Sequence, residues 1–154
     1  MSEQEKLIEE LYNATINDPH NTHQIVDLCE VDSILAQRIL LETGIDVKDF
    51  TISIDSFSIS HTLKKHGNPI TEASRGQIAV TKSDFIRIID IIQNADTIEL
   101  SVKSFNRGII GETLTFTKEI GNLFFVVKKI RKVTKTGKKN RLILKTFYIR
   151  KLVK

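Results

Sequence analysis

At 154 residues, 40% hydrophobic and with a formal net charge of +4, the chain can bury one good core. It has no apolar run of roughly 18 residues, which excludes a membrane-spanning helix, and Met1 to Lys6 do not form the basic start of a signal peptide. A lone Cys29 excludes an internal disulfide, and four His with one Cys show no metal-ligand spacing, so neither metal nor cofactor is expected.

The charge is unevenly spread. Residues 1–60 hold three Lys/Arg against twelve Asp/Glu, and residues 61–154 hold twenty against seven. Residues 112–154 alone hold thirteen Lys/Arg and two Asp/Glu, a density that suits a polyanion such as nucleic acid as well as a solvated surface. The two parts are expected to do different jobs.

In chain order, Leu7, Ile8, Leu11 and Tyr12 recur at helical spacing, and Asn17-Asp18-Pro19 breaks that helix. Asn21-Thr22 offers a cap for a second helix through Ile25, Val26 and Leu28, with His20 and His23 as surface or capping residues at the break. Asp32-Ser33 caps a third helix carrying Ile34, Leu35, Ile39 and Leu40, ended by Gly44. Residues 1–43 therefore read as an acidic helical extension, and 44–154 as a basic α+β domain.

Phe50, Ile52 and Ile54 alternate with polar neighbours and predict a strand. Asp55 or Ser56 can cap the next helix, and Gly67 before Asn68-Pro69 can end it. That helix carries His61-Thr62-Leu63-Lys64-Lys65-His66, half of the chain's histidines beside two ammonium groups. Such groups move protons near neutral pH and attract phosphate. At about 100° per residue, His61 pairs with Lys65 while His66 falls with Ile59 and Leu63, so the two histidines are not bound to converge. Structural roles for both stay open.

Ile70 to Gly76 reads as a polar loop containing Arg75, and Gln77 to Val80 as a short strand. Thr81 with Asp84 makes a capping box for a core helix through Phe85, Ile88, Ile89 and Ile92. The remainder reads as sheet: strands at Thr97–Val102, Thr113–Ile120, Leu123–Val133 and Arg141–Ile149, with turns at Asn106-Arg107-Gly108 and Gly121-Asn122 and a basic loop over 135–140. Lys118 shares a strand face with Leu114, Phe116 and Ile120, where a cation either opens into a cleft or snorkels. Thr146 and Tyr148 project together, alongside Leu142 and Leu144; Thr146 is also an ordinary strand residue type.

The ordered series Gly44-Ile45-Asp46, His61 through His66-Gly67, Arg75-Gly76-Gln77-Ile78, Asp84, Asn94-Ala95-Asp96-Thr97-Ile98, Lys118 and Leu144-Lys145-Thr146-Phe147-Tyr148 resembles the phage-associated nucleases of the barnase, EndoU, colicin and RelE-like superfamily. The similarity spans roughly residues 44 to 150. It implies a helix packed on a twisted antiparallel sheet and a metal-independent endoribonuclease, a toxin or phage effector acting in the cytoplasm after delivery within a larger protein. It points to His61, His66, Lys118 and Thr146 as catalytic residues, with Lys65, Arg75, Tyr148 and Lys145 binding substrate. The implied reaction is attack of an RNA 2′-hydroxyl on phosphorus to give a 2′,3′-cyclic phosphate, on tRNA or single-stranded RNA. The implied partners are RNA and an immunity or other protein. A catalytically inactive RNA-binding module and a phage-encoded interaction protein on a nuclease scaffold are the alternatives.

Overall fold

A computed structural model describes residues 1–105, 108–131 and 139–152. Helix α1 (Glu3–Ile16) starts in a capping box between Ser2 and Glu5 and buries Ile8 and Leu11. Strand β1 (Ile25–Glu30) stands where the spacing of Ile25, Val26 and Leu28 predicts a helix. Apolar residues at those three positions suit either state, and β1 is decided by its antiparallel ladder with β2 (Thr51–Asp55), bulged between Asp27 and Cys29. Between these strands, α2 (Ser33–Thr43) is capped by Asp32 and ends at Gly44, whose φ of 78° is the left-handed geometry that glycine adopts without strain.

Helix α3 (Ser56–His66) follows β2 directly, its first turn capped by the Asp55 carboxylate, which accepts from Ser58 N. The expected loop at 70–76 contains a helix instead, α4 (Pro69–Ser74). Its cause lies in the sequence: Asn68 Oδ1 accepts from Ile70 N and Thr71 N, and Pro69 occupies the first turn, where its missing N–H costs nothing. After the two-residue β3 (Gln77–Ile78), the predicted core helix comes as two pieces, α5 (Lys82–Ile86) and α6 (Ile88–Gln93). A meander of β4 (Thr97–Phe105), β5 (Gly108–Ile120), β6 (Asn122–Arg131) and β7 (Arg141–Arg150) completes the chain. Residues 106–107 of the expected turn and 135–138 of the expected basic loop lie outside the described residues.

The sheet runs β1-β2-β7-β6-β5-β4, with β3 on the far end of β7. The α+β class matches the expectation, and the sheet is mixed: every ladder is antiparallel except β2 with β7. Strand β2 is buried on both faces, which suits a strand lying between two others. Asp27 of β1 ties the far strand in, accepting from Arg141 Nε at 2.9 Å and from Ser53 Oγ at 2.7 Å, and Arg141 holds its carboxyl well down, at about 2.

Alternation gives the sheet two faces. Leu114, Phe116, Phe124, Val126, Phe147 and Ile149 are buried on one, under Phe85 of α5 and the isoleucines of α6. Phe85 meets Phe147 edge-on, with ring centroids 5.8 Å apart. Residues of α1, β1 and α2 join this same core through Ile8, Leu11, Leu28, Leu35 and Ile39. The other face is open and half-buried, carrying Thr115, Thr117, Phe125, Val127, Thr146 and Tyr148. No helix among the described residues is long and apolar enough to cross a membrane.

Candidate active site along the α3–β7 seam

Helix α3 packs beside β7, and its two histidines meet that strand at different places. His66, in the last turn, is half-buried; its ring is 5.5 Å from that of Tyr148. Its Nδ1 lies 3.0 Å from Oε2 of Glu72, a carboxylate of zero exposure. The turn at Gly67-Asn68-Pro69 folds α4 back so that Glu72 reaches the end of α3. Gly67 is required there, since a Cβ would stand 2.4 Å from the Leu63 carbonyl oxygen. Glu72 Oε1 takes Arg75 Nη1 at 3.4 Å, and the same nitrogen donates to Lys65 O at 3.3 Å. A buried carboxylate is costly unless paired, and here both oxygens are engaged. With the carboxylate as acceptor, His66 donates through Nδ1–H, and its Nε2 carries the lone pair in the neutral ring.

Tyr148 stacks on Phe125 at 4.7 Å with an 8° interplanar angle, and Arg150 lies over the same Phe125 ring at 5.7 Å. Burial pushes the Tyr148 phenol up from its usual range, so it is protonated at neutral pH. Two residues back on the same face, Thr146 has a buried hydroxyl without a protein hydrogen-bond partner. This unsatisfied oxygen lies across the strand pair from Val127. The bulge that puts Lys145 opposite no single residue of β6 turns that lysine toward the first half of α3.

There a cleft of about 500 Å³ is lined by His23, Asp55, Phe57, Ser58, His61, Ile143, Leu144 and Lys145. The structure thus gathers His61 with Lys145 and His23, and gathers His66 with Tyr148, Arg75 and Glu72. Lys65 is exposed beside the second group. The two groups share the helix and the strand. From Lys145 to Tyr148 is about 10 Å of strand, a spacing over which adjoining parts of one nucleic-acid strand can be held.

Lys118 lies elsewhere. It follows Leu114 and Phe116 on the covered face, where Nζ is 3.4 Å from Asp96 Oδ1 at the end of α6, two strands away from β7. Among the described residues no cluster of three His, Cys, Asp or Glu side chains could hold a metal ion.

Three residues of the seam escape a reading of the sequence. Glu72 falls in a stretch that reads as loop; the helix-start signal Asn68-Pro69 was the clue, because it places the fourth helical residue back over the end of α3. His23 and Phe57 have no local signal, since they come together only when β1 pairs with β2.

A family model described as phage-Barnase-EndoU-ColicinE5/D-RelE like nuclease3 matches residues 30–154. No curated protein and no solved structure gives a match.

Proposed function

The chain belongs to this family of phage-associated nucleases, and on that premise we propose that it is an endoribonuclease whose reaction needs no metal. The observation that carries the reading is the fully buried Glu72 fixing His66 against the open face of the sheet. A histidine held in one tautomer by a carboxylate is suited to take a proton through its other nitrogen. RNA supplies the nucleophile. His66 Nε2 removes the 2′-hydroxyl proton, the 2′-oxygen bonds to phosphorus, and the bond to the 5′-oxygen breaks to leave a 2′,3′-cyclic phosphate. His61, across the helix in the adjoining cleft, protonates the departing 5′-oxygen. The charge that builds on phosphorus is met by Arg75, the Tyr148 phenol and Lys145; the Thr146 hydroxyl, buried beside Tyr148, would have to be uncovered to join them.

Lys65, Lys145 and Arg150, the last lying over the open-face Phe125 ring, supply attraction that draws RNA to this face. Lys118, engaged with Asp96 on the covered face, is given no role in this scheme.

The test is incubation of the purified protein with tRNA and with single-stranded RNA in EDTA, followed by chemical identification of the ends. Cyclic-phosphate ends, no cutting of an oligonucleotide with a 2′-deoxy sugar at the cleavage site, and restoration of His61→Ala by a sulfur leaving group at the 5′-position are expected. Cleavage that survives the 2′-deoxy substitution, or that EDTA abolishes, refutes the mechanism. RNA bound and never cut points to an inactive binding module.

A further inference from the structure

The cleft at the start of α3 has one wall that comes from before residue 30, outside the family match. Residues 21–24 are pinned there. Gln24 N donates to Ser56 Oγ at 2.9 Å, Ser56 N donates to Gln24 O at 2.9 Å, Ser56 Oγ donates to Thr22 O at 2.8 Å, and Ser60 Oγ donates to Asn21 Oδ1 at 3.1 Å. These bonds set His23 flat on Phe57, with ring centroids 4.3 Å apart and planes 21° apart. His23 Nε2 is 3.0 Å from Asp55 Oδ2, which fixes the imidazole in its plane.

A large aromatic ring that is 46% exposed, paired with a held imidazole at the mouth of a cleft, is a stacking platform in want of a third ring. Lys145 and the first turn of α3 offer positive charge at the cleft's other side, with His61 beside them. Among the described residues lining the cleft, Asp55 is the one acidic group. Its charge is engaged by the Ser58 N–H and by His23, so it does not oppose an anion at full strength.

We propose that this cleft is the subsite for the leaving nucleotide of single-stranded RNA: its base adds to the Phe57–His23 stack, and its 5′-phosphate, the one to be cut, lies between Lys145 and the two α3 histidines. This rests on the nuclease reading above. It makes the N-terminal segment part of substrate recognition, and it accounts for a His–carboxylate pair that the cleavage step does not use. The stack is indifferent to which base it holds, because every base has a π-face.

The probes are adenosine 5′-monophosphate, which has base and phosphate, and ribose 5-phosphate, which has only the phosphate. Both are titrated into the full chain by NMR and neither can be cleaved. Adenosine monophosphate is expected to shift the resonances of Phe57, His23 and His61. Phe57→Ala should weaken it roughly tenfold while leaving ribose 5-phosphate unchanged. Lys145→Ala should weaken both probes, and His23→Ala should repeat the Phe57 pattern at smaller size. Both rings are on the surface, and an unchanged melting temperature checks that the variants fold. Adenosine monophosphate that binds Phe57→Ala as tightly as wild type, that shifts only residues elsewhere, or that does not bind at all overturns the subsite. If the nucleotide binds as expected and RNA is never cut, the subsite stands and the cleavage reading fails.

Discussion

The two faces of the sheet both carry polar side chains, and they treat them differently. On the covered face Lys118 and Lys128 interrupt runs of buried Leu, Phe and Val, and each is answered from within the protein: Lys118 by Asp96, Lys128 by the Ser53 carbonyl at 2.7 Å. On the open face Thr146 leaves its hydroxyl without a partner, and Tyr148 stands between Phe125 and His66 with its phenol kept protonated. A polar group satisfied internally spends its interaction on the fold. On the open face the half-buried Tyr148 stays within reach of a ligand, while the Thr146 hydroxyl is itself buried beside it. Substitutions on the open face should therefore cost activity, and those on the covered face should change stability.

His66→Ala is the sharpest test of the open face. Removal of the proposed base should lower kcat about 10²- to 10⁴-fold, and because it strips Oε2 of the buried Glu72 of its partner it should lower the melting temperature as well. Glu72→Gln should follow, lowering kcat about 10- to 100-fold while KM holds, because the amide oxygen still accepts from Nδ1–H but, uncharged, orients the ring less firmly. Steady-state kinetics on a defined oligonucleotide separate the two constants. A Glu72→Gln variant with raised KM and intact kcat would mean that the carboxylate only shapes the surface.

How much of this was legible depended on whether the cause was local. Helix α3 was, because Asp55 and Gly67 mark its ends in the sequence; so was the β5–β6 hairpin, turned at Gly121 with φ 72°. Strand β1 was not, since its spacing fits a helix equally well and only its partner β2 decides. The His66–Glu72 pair needed the knowledge that Asn68-Pro69 restarts a helix. Lysines 118 and 128 give the same signal, a cation at an apolar position of an alternating strand. Their outcomes diverge because one strand position reaches the rim of the core and the other its middle, which alternation does not reveal.

Lys128 is the test of the covered face. Its side chain has zero exposure, and desolvation brings the amine down to about 7, with Cys29 and Asp55 pulling the other way. An unfolded lysine titrates near 10.4, so between about pH 7 and 10.4 the unfolded chain binds more protons than the folded one. Stability from this residue therefore rises with pH across that window, and below about pH 7 the full penalty, on the order of 5 kcal/mol, is present. Lys128→Met removes the penalty and also the hydrogen bond to Ser53, a loss of about 1–3 kcal/mol for the stranded carbonyl. At pH 6 the variant should be more stable than wild type by roughly 2–4 kcal/mol, and near pH 10 the order should reverse. Urea midpoints across pH measure both. A wild type whose stability ignores pH from 7 to 10, or a Lys128→Met that loses cleavage, breaks the division between faces.

Lys118→Ala is expected to do least. Its Nζ reaches Asp96, which is already held by the Glu119 N–H at 2.8 Å, so the carboxylate keeps a partner when the lysine goes. In register the residue stands opposite Phe124, which in turn stands opposite Ile149, so it belongs to the row of the covered face. Tyr148, next to Ile149 in sequence, projects from the opposite side of the sheet. For Lys118 to touch a phosphate seated at Tyr148 and His66, its side chain would have to pass the end of β5 and reach around two strands. Cleavage by Lys118→Ala should therefore stay within about twofold of wild type, with the same dependence on salt. A loss approaching that of His66→Ala would mean that RNA is held around the rim of the sheet rather than on one face, and that the seam between α3 and β7 is only half of the site.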